Sequence, residues 1–164
     1  EAAGLTDWRH IDAQNRQLKN KGDQGLLLKW DAEGTYSVRA EASGQALDAG
    51  SRLVFSIASI DGSTSIDIRL RDRSGVAVSL PLSRFADVLP APKTDYTWLP
   101  WMEAAISDGK FKGESETVYQ TVELPLSSFE DEDPDFTPSE WEELTFSLTD
   151  GPGSVLIDDL GLIP

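Results

Sequence analysis

The chain has 164 residues, 39% of them apolar, with 29 acidic and 14 basic side chains and a formal charge of −15. That length and apolar content support one folded domain with a real core and place the chain outside the disordered class. The charge argues against nucleic acid and anionic membrane surfaces as partners, and the absence of cysteine excludes disulfides, thiol nucleophiles and cysteine-ligated metal.

The chain begins at Glu1 rather than Met, as expected of a processed chain or an excised domain. No signal peptide or membrane-spanning run is visible. Trp8 to Asp12 reads as a first strand, and polar residues 13–25 as a loop. Leu26 to Trp30 makes a short apolar strand, Asp31 to Gly34 a turn, and Tyr36, Val38, Ala40 and Ala42 alternate with polar neighbours in the next strand. Leu53, Phe55 and Ile57 share one face of a strand. Ile66, Ile68 and Leu70 then alternate with Asp67, Arg69 and Arg71, and after Arg73-Ser74-Gly75 the pattern continues through Val76, Val78 and Leu80.

Residues 86–115 break the alternation and read as a long loop insertion, with a short helix over Trp101 to Ser107. Strands resume at Val118 to Leu126. Acidic residues 130–135 form a solvated turn, Pro138 to Glu143 a single helical turn capped by Ser139 or Thr137, and Leu144, Phe146 and Leu148 share a face. The last strand is Val155 to Leu162. Nine strands with little helix predict a single domain over 1–164, an all-β sandwich of two antiparallel sheets. One short repeat stands out: Val78-Ser79-Leu80-Pro81-Leu82-Ser83-Arg84-Phe85 echoes Val122 to Phe129. Each copy reads as a strand exit in which proline ends the ladder, serine starts a turn and phenylalanine returns to the core.

The final strand places Asp158 and Asp159 side by side. Strict alternation puts one of them, Asp158, on the face of Leu156, Leu160 and Leu162. A carboxylate there needs a compensating partner, either a bound cation or a salt bridge or backbone donor.

Three stretches, Tyr119 to Phe129, Trp141 to Leu148 and Val155 to Leu162, resemble in order and spacing the last strands of galactose-binding-like jelly-roll domains. That class includes many carbohydrate-binding modules. The resemblance implies a jelly-roll β-sandwich, secreted and monomeric, that is noncatalytic and targets an attached catalytic domain to a polysaccharide. It also implies structural calcium tying the first strand and an early loop to the last strand, with Asp158 in the position of the metal-binding acid. Asp12, Asp31 and Glu33 are the partners expected from their places in the sequence, since calcium takes oxygen ligands.

For the sugar, Tyr96, Trp98 and Trp101 offer three aromatic rings within seven residues of the insertion, where loops collect binding groups. The same rings also suit burial as anchors. Arg69 and Arg71 project from the polar face of their strand and suit bidentate contacts to hydroxyls or acidic sugars, or ordinary solvation. Two other readings remain: an accessory sandwich that packs on its neighbour without touching glycan, and a jelly-roll lyase or hydrolase. The second would need His10, the only histidine, as base or a carboxylate pair drawn from residues such as Asp67 and Glu123, and no sequence pattern pairs them.

Overall fold

The computed structural model describes residues 1–12, 24–39, 48, 50–60, 65–90 and 118–164. The described residues form eight strands: β1 (Ala2–Asp12), β2 (Gln24–Arg39), β3 (Arg52–Ser59), β4 (Ser65–Asp72), β5 (Ala77–Pro81), β6 (Gln120–Pro125), β7 (Trp141–Thr149) and β8 (Gly153–Ile163). Every strand pair is antiparallel. The order is β5-β4-β7-β2-β8-β3-β6, with β1 running along the other side of β2.

This one hydrogen-bonded sheet curls into two facing leaves, and β2 is the strand that joins them. Its first half, Leu26 to Trp30, pairs with β8, and its second half, Gly34 to Arg39, pairs with β7. The first leaf is thus β6-β3-β8 with the start of β2, and the second is β5-β4-β7 with its end. Asp31 to Gly34, expected to turn the chain between two strands, instead carries one long strand from leaf to leaf. Two predicted strands therefore become one, and the result is the expected jelly-roll-like sandwich.

Alternation sorts the side chains as read from the sequence. Leu53, Phe55 and Ile57 point inward from β3, and Ile66, Ile68 and Leu70 from β4; all are buried. Phe55 of the first leaf meets Phe146 of the second edge to face, with ring centres 5.4 Å apart. Trp30 fills the end of the core because Gly153 beside it has no side chain: a Cβ there would lie 2.5 Å from Cζ2 of the indole.

The repeated exit motif closes the side where the two edge strands end. After Pro81 comes a 3-10 turn, Leu82–Arg84, and shortly after Pro125 comes helix α1, Ser127–Glu132. Leu82 and Phe129 are buried, Phe85 packs on the core, and Arg84 reaches Glu132 at 3.0 Å. Each edge strand is thus cut short by proline, which has no N–H to extend the ladder.

The second predicted turn forms as a 3-10 turn at Pro138–Glu140, but neither Thr137 nor Ser139 caps it through a side chain. Instead the Thr137 N–H donates to Oδ2 of Asp72 at 3.1 Å. Asp72 is inaccessible to solvent, enclosed by its own turn. Its Oδ1 accepts from Ser74 Oγ at 2.7 Å and from the Val76 N–H at 3.0 Å. Burial pushes this carboxyl up, but the donors outweigh it and hold it below the ordinary 3.8.

Among the described residues, no helix is long and apolar enough to cross a membrane. The expected helix at 101–107 and most of the insertion lie outside the described residues.

Candidate functional site: the outer faces of the two leaves

The residues that point away from the core make two different surfaces. On the first leaf, Leu27, Ala58 and Leu156 form a buried apolar row with Tyr119 packed against it. Burial pushes the Tyr119 phenol up to about 12, with Asp158 and Asp159 adding to the effect.

On the second leaf the register lines up polar groups across four strands. Ser79 of β5 lies beside Arg69 of β4, Arg69 beside Thr145 of β7, and Thr145 beside Ser37 of β2. Ser37 Oγ and Thr145 Oγ1 are 2.8 Å apart and share one hydrogen bond. Thr145 is buried and Ser37 half-buried, so Ser37 is the hydroxyl of the pair that reaches the surface.

Beside this row runs a chain of charges. Arg71 Nη2 holds Glu143 at 3.0 Å and Glu142 at 3.2 Å, and Arg39 Nε approaches Glu143 at 3.5 Å. A β-bulge explains why two consecutive glutamates reach one arginine. Arg71 pairs with Glu143 but Asp72 with Trp141, so Glu142 is an extra residue in β7. A shallow depression of about 380 Å³ at this end is lined by Glu1, Ser37, Arg39 and Glu143. Arg69 is exposed and makes no ion pair or hydrogen bond among the described residues.

Of the sequence candidates, Arg69 and Arg71 therefore share the second leaf in different states, one open and one engaged. Tyr96, Trp98 and Trp101 lie outside the described residues. The points from which their segment departs and returns are both fixed beside the end of β3. Ser59 bridges to Pro90, Ile57 pairs with Gln120, and the end of the Gln120 side chain lies between the Asp87 carbonyl and the Leu89 N–H.

Asp158 does not lie where strict alternation puts it. Val54 pairs with Gly161 and Ser56 with Asp158, so Asp159 and Leu160 together oppose Phe55, and Asp159 takes a positive φ of 53°. This bulge reverses the parity of the strand. Leu156 faces outward, Leu162 packs on the main core and Leu160 is exposed, so no common face of leucines encloses the acid. Asp158 is half-buried, pairs in register with Ser56 and accepts the Asp159 N–H at 2.8 Å; Asp159 is exposed.

The proposed metal set also divides. Asp12 pairs with Gln24, at the same end of the leaf as Asp158; its side chain is outside the described residues. Leu26 lies beside Ile157, next to Asp158, whereas Asp31 follows five residues further along β2. At the strand rise that is about 16 Å. Glu33 is further still, and both acids are exposed. Asp31 and Glu33 therefore cannot join Asp158 around one ion. Among the described residues no three acids or histidines converge on a common point. The carboxylates considered for hydrolysis are also apart: Asp67 is on β4 of the second leaf, and Glu123 is on β6 of the first, paired with Arg52 at 2.8 Å.

Ser37, Thr145, Glu142 and Glu143 were not among the sequence candidates. The outward alternation of Ser37, Glu143 and Thr145 was visible, but Glu142 reaches this face only through the bulge, and no local pattern says that 35–39, 143–147 and 67–71 are neighbours.

No family model and no curated protein matches the sequence. Solved structures do match the fold. A family 30 carbohydrate-binding module aligns with 97% of this chain and 76% of its own length, with a TM-score of 0.62 and 16% identity. A family 30 module of a cellulosomal cellulase of Clostridium thermocellum aligns with 98% of this chain and 86% of its own length, with a TM-score of 0.59 and 16% identity. A family 11 module from Clostridium thermocellum, in complex with a β-1,3-1,4-mixed-linked tetrasaccharide, aligns with 99% and 86%, with a TM-score of 0.51 and 14% identity. The chain has the jelly-roll fold that these carbohydrate-binding modules share.

Proposed function

We propose that this chain is a noncatalytic module that holds a polysaccharide across the outer face of the second leaf. Exported with an attached carbohydrate-active enzyme, it keeps that enzyme at a high effective concentration on its substrate. The observation that carries this reading is the difference between the two outer faces. In a fold shared with modules that hold oligosaccharide, the first leaf's outer row is buried and apolar. The second leaf presents hydroxyls and guanidinium groups in register. Sugars offer closely spaced hydroxyl donors and acceptors, and such a row offers complementary ones.

Affinity gel electrophoresis against mixed-linked β-glucan, β-1,4-galactan and polygalacturonate tests the reading. Retardation on at least one gel, weakened by the double change Ser37→Ala and Thr145→Ala, is expected. Unaltered migration of the native chain on every gel would favour an accessory sandwich that touches no glycan.

Structural calcium belongs to the same reading, at Asp158 with the end of β1 near Asp12 rather than with Asp31 or Glu33. Its support is that both positions fall at one end of the first leaf and that calcium takes carboxylate and backbone oxygens together. A melting curve with calcium should lie above one with chelator, because a ligand bound only by the native state raises its stability. Coincident curves would remove the ion from the proposal.

A further inference from the structure

The following rests on the binding-module reading and assigns the residue that gives the face its selectivity. We infer that Arg69 is the specificity-determining residue: its guanidinium fork takes two adjacent oxygens of one sugar unit.

Three arginines point outward from the second leaf among the described residues, and two of them are occupied. Glu142 and Glu143 hold Arg71, and Glu143 also draws on Arg39. Those two guanidiniums act as struts that keep the carboxylates in place. Arg69 is exposed and has no such partner among the described residues. It lies in the middle of the hydroxyl row, between Ser79 and Thr145. A guanidinium presents two parallel N–H groups, spaced to meet a pair of adjacent oxygens, and lysine has no equivalent geometry.

Adjacent oxygens occur as a neighbouring hydroxyl pair on a neutral sugar or as the carboxylate of a uronic acid. The surroundings favour the neutral pair. Asp67, Glu142 and Glu143 share the face with Arg69, and the whole chain carries −15. An anionic polymer is repelled before it reaches one arginine, whereas a neutral chain meets no such barrier.

The test compares the native chain with Arg69→Ala and Arg69→Lys on the same three gels, with a melting curve of each variant. The native chain is expected to bind a neutral gel and to pass polygalacturonate freely. Both variants should bind the neutral gel about tenfold more weakly or worse, as expected for losing charge-assisted bonds, with melting points unchanged. If the native chain binds and Arg69→Ala binds equally, Arg69 does not select and only this inference falls. If Arg69→Lys binds like the native chain, charge rather than the fork is being read, which also overturns it. Stronger retention on polygalacturonate than on both neutral gels overturns the neutral assignment. If the native chain passes all three gels freely, the binding-module reading itself fails, whatever the variants do.

Discussion

The two outer faces are built by the same alternation on the same curled sheet, yet among the described residues one is apolar and buried and the other polar and partly exposed. On the first leaf the outward residues Leu27, Ala58 and Leu156 are buried, with Tyr119 against them. On the second, Ser79, Arg69, Thr145 and Ser37 make a polar row beside a chain of arginines and glutamates. Strand β2 carries both patterns, with outward Leu27 where it pairs with β8 and outward Ser37 where it pairs with β7. Alternation tells which side chains leave the core. It does not tell whether the surface they make is apolar and covered or polar and exposed.

The contrast breaks most severely at Leu156. Replacing this 5% exposed side chain by aspartate puts a carboxylate where it has no built partner. Leu156→Asp is expected to cost about 4 kcal/mol or more. Ser79→Asp, at an exposed position of the second leaf beside Arg69, should stay within about 0.5 kcal/mol. Urea unfolding of the two variants measures this directly, and similar losses would erase the distinction between the faces.

Asp72 sharpens the point, because it is a buried carboxylate that does have partners. Ser74, Val76 and Thr137 all donate to it. Asp72→Ala leaves these donors unpaired and should cost about 2 kcal/mol. Its carboxyl lies below the ordinary 3.8, so the stability it contributes is complete above that pH. That contribution is lost as the pH falls through the lower folded value. The native chain should therefore weaken on acidification more steeply than Asp72→Ala. Parallel stability profiles between neutral pH and pH 2 would contradict the assigned role.

The smallest effect belongs to the charge chain on the second leaf. Glu143→Gln keeps the size of the side chain and removes the charge that Arg71 and Arg39 share. These side chains are partly exposed, so the cost should be about 0.5–1 kcal/mol and should shrink with added salt. A loss several times larger, insensitive to salt, would mean that the charge chain is part of the folding core and not a surface scaffold.

Much of this protein is legible locally. The period-two runs at 53–58 and 66–71, the Arg73-Ser74-Gly75 turn and the two Pro-Leu-Ser exits all depend on near neighbours in the chain. They appear in the structure where the residue pattern places them. Arg69 and Arg71 were likewise visible as outward residues. Three features were not. Asp31 to Gly34 looks like a turn but is the crossing of β2 between leaves, because hydrogen bonds from β7 and β8 hold it extended on either side. The bulges at Glu142 and Asp159 shift which residues share a face, so the apparent burial of Asp158 among leucines dissolves. Which arginine is open was also hidden, since it depends on carboxylates more than 70 residues away in sequence.

The all-β class and the inward set of residues can be read from the residues alone, since these follow from side chains alternating along a single strand. Folding was needed to settle which strands are neighbours, where one extra residue reverses a face, and which polar groups line up in one row. Those depend on pairings between distant segments, and no local pattern encodes them.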